Sequence, residues 1–418
     1  MITSTVVNRL QQAKTHCGEL MRILVISTPF PSQVDPTRGI FVKERIKAIA
    51  KLPQCDVQII SPVPWFPPLK QFPSWYPWSQ YPYQETFEGL SIHHPRYVLP
   101  PTIGGYFHPS LMYPAVRRAV RSIRQQFDFD IIDAHFVYPS GVVGAMLARE
   151  LDLPLVITGR GEDILSFPNS WLKRRAIRSA LRCTEHAVAL SPEIATAMTR
   201  LGAPANRVTI IPNGVDTELF RPMDREQCRQ SLRLPVDSQI VLSVGDCVER
   251  KGHHLLIDAM PEILRKHPRA LLVIVGGPGC FGRDFTTELK ARITNLGITQ
   301  RVMLAGAVPH RQLPMWYSAA NLFALMSSRE GSPNVLLEAL ACGTPAIATI
   351  PSSAQEELSD PRLGIVVHSR SSEGARQCVE KALSTAWDRN LIRAQLQNRN
   401  WGSVAEKVAY IFHQILEK

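Results

Sequence analysis

Two glutamates beside a predicted helix start are the residues best placed to do chemistry. The segment over residues 329–338 reads Arg-Glu-Gly-Ser-Pro-Asn-Val-Leu-Leu-Glu, with seven residues between Glu330 and Glu338. A carboxylate can accept two hydrogen bonds at once, which suits a pair of neighbouring hydroxyls such as a ribose diol. Glu330 precedes the helix and would reach other sugar hydroxyls. The alternative is that both glutamates are ordinary cap and surface residues.

The helix start between these glutamates predicts an anion site. Ser332 is a good N-cap residue and Pro333 suits the first helical position. The helix is expected to run to Ala341 and to stop at Gly343. Free backbone N–H groups at such a helix N-terminus are suited to a diphosphate. We therefore assign the phosphate site to Gly331, Ser332, Pro333, Asn334 and Val335.

Short apolar runs alternate with longer helical patterns along the whole chain, which indicates an α/β fold with parallel sheets and crossover helices. The predicted strands form two series, 22–27, 57–62, 131–134, 155–158 and 187–191, then 240–244, 271–275, 302–305, 322–325 and 346–349. Two such series predict two facing Rossmann-like domains with a cleft between them. Ligands of these sheets bind beyond the carboxyl ends of the strands.

The turn-rich segment Ile211-Pro-Asn-Gly-Val-Asp216 separates the two series. We expect one domain over residues 21–210 and a second over 211–395. Residues 396–418 include an amphipathic stretch from Trp401 and should form a helix that packs back toward the first domain. Residues 1–20 are polar and mixed, and we expect a disordered extension before the first strand.

Several segments together resemble the signature of the retaining glycosyltransferases of family 4, the group 1 glycosyltransferases with the GT-B fold. The spacing of Glu330 and Glu338 inside EGSPNVLLEALACGTPAIAT carries most of this resemblance. The other matching segments are IPNGVDTELF (211–220), VGDCVERKGHHLLIDAM (244–260), VMLAGAVPHRQLPMWYSAANLFALMSS (302–328) and Gly39-Ile-Phe-Val-Lys-Glu44. The resemblance implies transfer of a hexose from a nucleotide-diphosphate sugar to an acceptor hydroxyl of a polysaccharide or lipid-linked intermediate, with retention of configuration.

The resemblance also implies roles for charged residues of the second, donor-binding domain. Lys251 matches the lysine that neutralises the leaving diphosphate. The arginine usual just after the preceding glycine is Asp246 here. Because an acid cannot bind phosphate, we expect Lys251, helped by Arg250, to carry more of the charge.

A second departure lies in the first, acceptor-binding domain, within Thr158-Gly-Arg-Gly-Glu-Asp163. Arg160 stands where many relatives have a histidine followed by glycine. An arginine cannot shuttle a proton, so its expected role is electrostatic, on a phosphate oxygen or a sugar hydroxyl. The alternative is a structural pair with Glu162 or Asp163.

Three residues are expected on the acceptor side of the cleft. Gly39 belongs to the glycine loop that faces the acceptor, and Asp163 follows Arg160. His135, in Asp133-Ala-His135 at a strand end, either contacts the acceptor or satisfies a loop.

The mechanism implied by the resemblance needs no protein nucleophile. The acceptor hydroxyl attacks on the face that the nucleotide leaves, and a donor phosphate oxygen takes the proton. The protein supplies positioning and charge stabilisation, and no glycosidase-like pair of carboxylates is required. We expect neither a metal nor a cofactor, the nucleotide-sugar being a substrate.

Three other patterns carry less weight. Gly277-Pro-Gly-Cys-Phe-Gly282 spells a dinucleotide fingerprint, but the next predicted strand lacks the acid that an NAD site uses. Asp128-Phe-Asp130 resembles a metal motif but precedes a strand, the wrong end for a ligand. The eight cysteines are scattered without metal-ligand spacing, which indicates reduced thiols and a cytoplasmic protein.

Positive charge is concentrated in the first half. The net charge is +11, and residues 1–210 carry 23 Lys and Arg against 15 Asp and Glu. Two helical stretches contribute most, Arg117, Arg118, Arg121 and Arg124, then Lys173, Arg174, Arg175, Arg178 and Arg182. They are either solvated faces or a contact with an acidic acceptor or an anionic membrane on its inner face. No nucleic-acid motif accompanies the charge, so we expect no nucleic-acid partner.

Residues 62–83 break the alternating pattern. They hold seven prolines and eight aromatic residues, which excludes a regular helix or a central strand. The segment is either a self-packed surface loop or an acceptor-binding or membrane-edge loop.

The sequence is also compatible with two other functions. A non-catalytic partner subunit with the same fold would explain the changes at Asp246 and Arg160, although Lys251, Glu330 and Glu338 argue against it. Another enzyme of the GT-B fold, such as a sugar-nucleotide epimerase or a phosphorylase, would lack the Gly39 loop or need a pyridoxal-phosphate lysine.

Overall fold

The computed structural model describes residues 20–72, 75–100, 104–279, 283–350 and 354–417. Its strands are β1 (Met21–Ser27), β2 (Cys55–Ile60), β3 (Val63–Pro64), β4 (Gln84–Phe87), β5 (Leu90–His93), β6 (Arg96–Tyr97), β7 (Ile131–His135), β8 (Leu155–Gly159), β9 (His186–Ala189), β10 (Val208–Ile210), β11 (Gln239–Val244), β12 (Ala270–Val275), β13 (Val302–Gly306), β14 (Leu322–Leu325), β15 (Ala346–Thr349) and β16 (Gly364–Val367).

The α-helices cover both faces of two sheets. They are α1 (Ile40–Ala50), α2 (Tyr76–Ser79), α3 (His108–Arg124), α4 (Val142–Leu151), α5 (Glu162–Leu165), α6 (Trp171–Arg182), α7 (Pro192–Arg200), α8 (Arg225–Ser231), α9 (His253–Lys266), α10 (Thr286–Asn295), α11 (Leu313–Ala319), α12 (Asn334–Ala341), α13 (Ala354–Glu357), α14 (Ser372–Leu383), α15 (Arg389–Gln395) and α16 (Trp401–Leu416).

The first sheet has eight strands in the order β10-β9-β8-β7-β1-β2-β5-β4, and only the β4–β5 pairing in it is antiparallel. From β1 the chain builds toward one edge and then returns to place β7 on the other side of β1. The strand order therefore reverses between β1 and β7, and Ser27 lies opposite His135 at this point. Crevices at such reversals are where doubly wound sheets bind ligands.

The second sheet has six strands in the order β13-β12-β11-β14-β15-β16, and all its pairings are parallel. Its central strands are buried on both faces, as in β12, where Ala-Leu-Leu-Val-Ile-Val is wholly buried. The order reverses between β11 and β14. The loops after these two strands carry Lys251 and Glu330, so the topology brings the two residues together.

Two segments join the sheets and bond to each other. The Val215 N–H donates to the Arg399 carbonyl at 2.9 Å, and the Arg399 Nε to the Asn213 carbonyl at 3.2 Å. A Cβ on Gly214 would lie 2.8 Å from the Trp401 nitrogen. Asn400 then caps α16, its side chain accepting from the Ser403 N–H at 2.9 Å.

α16 packs on the first sheet. Its apolar face joins Val404, Val408 and Phe412 to one buried cluster with Ile46 and Ile49 of α1. The last helix in the chain thus completes the core beneath the first strands.

The aromatic segment 62–83 is self-packed. Phe66 stacks on Trp75 with ring centroids 5.6 Å apart and meets Phe72 edge-on at 5.9 Å. It also contains β3, which pairs with β6 in a two-stranded parallel ribbon. Of the extension predicted over residues 1–20, residues 1–19 lie outside the described residues.

Candidate functional site

Lys251 and Glu330 meet at the carboxyl edge of the second sheet. The Lys251 Nζ lies 2.6 Å from Glu330 Oε1, and the Arg250 Nη1 lies 3.3 Å from the same oxygen. Ser327 Oγ donates a third hydrogen bond to it at 2.8 Å. One carboxylate is thus held by two cations at the point where the strand order reverses.

The Glu330 carboxylate is ionised near neutral pH. Burial would raise the pKa of Glu330, but Lys251 and Arg250 lower it below its usual range, so the carboxylate is ionised. The aliphatic part of the Lys251 side chain packs over Gly245, whose φ is +149°. A Cβ at residue 245 would lie 3.2 Å from Lys251 Cδ. Asp246 is exposed and has no ion pair within the described part of the chain. Lys251 therefore pairs with Glu330 and not with the neighbouring acid.

The start of α12 differs from the sequence prediction. The helix begins at Asn334 with Pro333 at the N-cap, so Ser332 is not the cap and Pro333 is not the first helical residue. The reason lies across the cleft, where a Cβ on Gly331 would be 1.9 Å from the Arg160 carbonyl oxygen. This approach holds the preceding loop against the first sheet. Ser332 Oγ is buried and has no hydrogen-bond partner among the described residues.

The end of α12 agrees with the prediction. The helix runs to Ala341, and Gly343 follows with φ +72°, the left-handed conformation that ends many helices. At the other end, the Asn334 side chain accepts from Asn213 Nδ2 at 3.1 Å, so the helix start is tied to the segment joining the sheets. The N–H groups of Leu336 and Leu337 donate to the Pro333 carbonyl, which leaves those of Asn334 and Val335 without an acceptor within the helix.

Glu338 lies one turn into α12 and is held from two sides. His310 Nε2 lies 2.9 Å from its Oε1, and the Tyr317 hydroxyl donates to its Oε2 at 2.9 Å. Burial would lower the pKa of His310, but Glu338 raises it above the ordinary value. His310 and Tyr317 were not singled out from the sequence, although both lie in the segment 302–328 that carries the resemblance.

On the opposite wall a buried chain of contacts runs from Asp133 through His135 to Arg160. His135 Nε2 lies 3.1 Å from Asp133 Oδ2, and Arg160 Nη2 lies 2.8 Å from His135 Nδ1. A guanidinium has only donors, so Nδ1 accepts and Nε2 carries the proton that it donates to Asp133. Burial lowers the pKa of His135 to about 4, so the ring is neutral. Both ring nitrogens are engaged, and His135 orients Arg160.

Asp163 lies behind Arg160. Its Oδ1 accepts from the backbone N–H groups of Arg160 and Gly161 at 3.0 and 2.8 Å, and its Oδ2 from that of Val137 at 2.7 Å. Asp163 therefore fixes the loop through backbone contacts and makes no pair with the guanidinium. Arg160 Nη1 lies 3.5 Å from Asn213 Oδ1, and its Nε is buried without a partner in the described residues.

Gly39 caps α1 with φ +73°, and a Cβ there would lie 2.2 Å from the Pro29 carbonyl oxygen. Only glycine fits this turn, which folds the loop after β1 back on itself. As a result Ile40 and Glu44 of α1 line the same cavity as His310 and Glu338 of the second sheet. The Gly39 loop and the Glu338 site thus face each other across the cleft.

The Asp128-Phe-Asp130 motif lies away from this site. Asp130 Oδ2 accepts from the Arg22 N–H at 2.8 Å, at the amino edge of the first sheet. The dinucleotide pattern extends over residues 280–282, which lie outside the described residues. Where the chain is described, no group of three His, Cys, Asp or Glu side chains forms a possible metal site.

Comparison with protein families gives matches over both halves of the chain. Residues 224–399 match the family described as "Glycosyl transferases group 1", and residues 76–219 match "Glycosyltransferase Family 4".

Curated relatives extend these matches to most of the chain. A protein of Bacillus subtilis named for teichuronic acid biosynthesis, the glycosyltransferase TuaC, is 28% identical over 79% of this chain and 81% of its own length. The D-inositol 3-phosphate glycosyltransferase 1 of Catenulispora acidiphila is 29% identical over 71% of this chain and 74% of its own length.

Solved structures share the architecture at lower identity. The sucrose-phosphate synthase of Thermosynechococcus elongatus superposes with a TM-score of 0.76 at 21% identity, covering 95% of this chain and 99% of that one. HepE of Anabaena, solved with UDP and glucose, superposes with a TM-score of 0.71 at 23% identity, covering 94% and 100%.

Proposed function

Because this chain belongs to the group 1 glycosyltransferases, the retaining family 4 enzymes with the GT-B fold, we propose that it transfers a hexose from a nucleoside diphosphate sugar to a hydroxyl of a polysaccharide or lipid-linked acceptor. Sugar transfer from a nucleotide-sugar is the activity of the family. The hexose, the acceptor class and the residue roles are our proposal. Residues 21–210 would bind the acceptor and residues 211–395 the donor.

The observation that carries this proposal is the pairing of Lys251 with Glu330 at the helix start that also carries Glu338. The start of α12 offers backbone N–H groups and the Ser332 hydroxyl to a diphosphate. Lys251 and Arg250 lie 2.6 and 3.3 Å from Glu330 Oε1, so phosphate and hexose contacts would be adjacent. Glu338 would accept the ribose hydroxyls while His310 and Tyr317 fix its orientation.

The geometry supports catalysis by charge stabilisation. Charge develops on the leaving diphosphate, and Lys251 and Arg250 are positioned to stabilise it. Arg160 projects from the opposite wall, fixed by His135, and would hold a phosphate oxygen or a sugar hydroxyl. The attacking hydroxyl would enter from the Gly39 side, on the face that the nucleotide leaves.

UDP-hexoses are the first donors to test. HepE of Anabaena was solved with UDP and with UDP-glucose. The name of TuaC refers to teichuronic acid biosynthesis, which supports a cell-envelope polysaccharide as the acceptor.

The test is donor binding and turnover by the purified protein. Thermal shifts would be measured with UDP, GDP, ADP, their hexose conjugates and NAD, each with and without EDTA. We expect stabilisation by one nucleotide and its sugar conjugate, unaffected by EDTA. Glu330→Ala should lose response to the sugar conjugate, whereas the exposed Glu226→Ala should behave as the unsubstituted chain.

Three outcomes would contradict the proposal. Stabilisation by NAD alone would indicate a dehydrogenase. If no nucleotide raised the melting temperature, a non-catalytic partner subunit would be favoured. A nucleotide-sugar converted to its epimer without any acceptor would favour an epimerase.

We also propose that α6 contacts an anionic membrane surface. On α3, by contrast, Arg117 and Arg121 pair with Glu150, at 2.6 and 3.3 Å, so that helix is partly neutralised. The exposed arginines of α6 have no carboxylate partner among the described residues, and Trp171 is 67% exposed beside them. Exposed tryptophan next to arginine is typical of a membrane interface.

Vesicle binding tests this surface. The double variant Arg175→Glu with Arg178→Glu should lose binding to phosphatidylcholine vesicles containing phosphatidylglycerol at low salt. Arg301→Glu, on an exposed turn before β13, is the charge control and should bind as before. Equal binding by both variants, or no binding by the unsubstituted protein, would refute the membrane contact. Where the structure describes the chain, none of the helices has the length and apolar character needed to cross a bilayer.

A further inference from the structure

Arg38 is a cation without an anionic partner in the first sheet's loops. Its guanidinium carbon lies 4.4 Å from the Trp78 ring centroid. Its Nε and Nη1 are buried and have no hydrogen-bond partner among the described residues. Arg38 directly precedes Gly39, so it belongs to the loop that faces the cleft.

Lys173 is a second such cation. Its Nζ lies 4.7 Å from the Phe167 ring centroid, 5.6 Å from that of Tyr138 and 5.7 Å from that of Tyr106. No carboxylate lies within 4.0 Å of this ammonium in the described parts of the chain. Unlike the exposed arginines of α6, the Lys173 side chain therefore packs against an aromatic cluster.

Ring contacts link Lys173 to His108. The His108 ring centroid lies 6.4 Å from that of Tyr138, and the Tyr138 centroid lies 5.6 Å from Lys173 Nζ. The His108 Nε2 lies 2.5 Å from the Tyr97 hydroxyl, and its ring stacks on Tyr97. Burial, together with the charges of Lys173 and Arg38, lowers the pKa of His108 to about 4, so the ring is neutral near pH 7 and both cations act on it.

Neither Arg38 nor Lys173 forms an ion pair with a carboxylate in the described part of the chain. The residues that the structure does not describe at 73–74 and 101–103 are Pro-Ser and Pro-Thr-Ile, so neither segment contains an acid. Arg45 of α1 is likewise fully buried without a hydrogen-bond partner in the described residues, whereas the buried Arg229 does have partners. Arg229 donates to the Ala319 carbonyl at 2.9 Å and to Asn321 Oδ1 at 2.7 Å. Cationic groups removed from water without partners cost free energy, which a bound anion would offset.

The position of the cluster points to the acceptor. Arg38 follows β1, Tyr138 follows β7, and these strands flank the reversal of the first sheet. Phe167, on which Lys173 lies, follows Ser166, which accepts from Arg329 Nη1 of the second sheet at 2.5 Å. The cluster therefore lies on the acceptor wall, near the junction with the donor site.

From this arrangement we infer that the acceptor carries an anionic group, a phosphate or a carboxylate, that binds between Arg38 and Lys173. The inference rests on the proposed function and names the acceptor's chemical class. A guanidinium suits either oxyanion because its donors match two oxygens at once, and an ammonium adds a point charge. The neutral His108 and Tyr97 would orient the adjoining sugar.

The test compares neutral and anionic sugars that differ in one group. Glucose, glucose 6-phosphate and glucuronic acid would be titrated calorimetrically into the full chain, with UDP at saturation so that the diphosphate site is filled. At least one anionic sugar should bind, and glucose should bind far more weakly. Arg38→Gln and Lys173→Gln should each weaken that binding by about tenfold or more, as expected for loss of a charged hydrogen bond.

Matched variants keep the result interpretable. Arg175→Gln removes the same charge from the exposed face of the same helix and should leave sugar binding unchanged. Arg38→Lys keeps the charge and should retain part of the affinity if Arg38→Gln disturbs the loop.

The outcomes separate this inference from the proposed function. If UDP binds but anionic sugars bind no better than glucose, the anionic acceptor is refuted and the glycosyltransferase proposal stands. If Arg175→Gln weakens binding as much as Lys173→Gln does, the binding is a general charge effect and the inference fails. Loss of UDP binding by the unsubstituted protein would instead contradict the proposed function. Preference for phosphate or for carboxylate would decide which anion the acceptor bears.

Discussion

At the scale of residues, the proposed phosphate site has fewer basic groups than the family pattern would suggest. Asp246 stands where an arginine is usual, and it is exposed and unpaired in the described structure. The Lys251 Nζ lies 2.6 Å from Glu330 Oε1. The aliphatic part of the Lys251 side chain packs against Gly245, which has no side chain of its own. We therefore propose that most of the charge stabilisation at the diphosphate comes from Lys251.

Replacing Lys251 by alanine should lower kcat by roughly 100-fold or more, the loss expected when one preorganised charge stabiliser is removed. Steady-state kinetics with the donor identified by binding would measure it. The exposed Lys290→Ala is the control and should retain full kcat. A Lys251→Ala enzyme with unchanged kcat would show that the phosphate site is wrongly assigned.

Replacing Glu338 by alanine should mainly weaken donor binding, by about 10- to 100-fold, because two hydroxyl contacts to a charged group are lost. Calorimetric titration with the free nucleotide would measure this. Tyr317→Phe removes one of the bonds that hold Glu338 and should cause a smaller loss. If the Kd is unchanged and only kcat falls, Glu338 does not contact the ribose.

At the scale of elements, the loop before α12 and the loop after β8 come into backbone contact. A Cβ on Gly331 would lie 1.9 Å from the Arg160 carbonyl oxygen and 3.3 Å from the Gly161 Cα. These contacts are between backbone atoms, which cannot move aside as a flexible side chain can. The relation between the two walls therefore depends on the absence of a side chain at residue 331.

Gly331→Ala should push the two loops apart and lower kcat/KM, with little change in Tm because the contact lies at the surface of both sheets. Kinetics and thermal unfolding of the same samples would separate the two effects. Gly105→Ala is the control, because a Cβ there meets no atom within 4 Å. Full activity of Gly331→Ala would mean that the two loops can move apart without cost.

The sequence predicted the strands that carry the site better than the contacts among site residues. All ten predicted strands are present, because buried parallel strands read as apolar runs. Six strands were not predicted because they have only two to four residues, too few to show a clear periodic pattern, namely β3, β4, β5, β6, β10 and β16. The start of α12 was misplaced because the approach of Gly331 to Arg160 depends on residues about 170 positions apart in sequence.

Side-chain partners were the hardest to predict. That His310 and Tyr317 hold Glu338, or that His135 accepts from Arg160, depends on how neighbouring strands and loops are aligned. Local sequence patterns carry no information on such alignments. The assignments of Glu330, Lys251, Arg250 and Glu338 therefore remain functional predictions with a geometry that supports them.

At the scale of the whole molecule, α16 is part of the core under the first sheet. Phe412 is fully buried there among residues of α1 and β1. Phe412→Ala should reduce the free energy of unfolding by about 3–5 kcal/mol, as is typical for a large core side chain. Urea denaturation would measure the loss, and the exposed Lys407→Ala should change it little. A loss below 1 kcal/mol, as for a surface site, would contradict the packing.

Buried histidines make the fold sensitive to acid. Burial lowers the pKa of His108, His135 and His253 to about 4 in each case. In the unfolded chain these rings titrate near pH 6.5. Between those values the unfolded state binds more protons, so the free energy of unfolding should fall as the pH drops from about 6.5 to 4.

Urea denaturation across this pH range would test the expectation. His253→Gln removes one of the three groups and should reduce the slope of stability against pH by about one proton. An unchanged slope would show that His253 is not the neutral, buried group described.

The position of α16 has a consequence for how the protein is made. During translation the strands of the first sheet leave the ribosome first, but the helix that covers Ile46 and Ile49 leaves only after the second sheet. Until then that apolar face is uncovered, although the loops of the first sheet are already complete. The half that carries the first sheet should therefore gain its full stability only after the second sheet has been synthesised. A nascent chain halted before Trp401 should be digested by protease more readily than one released at full length.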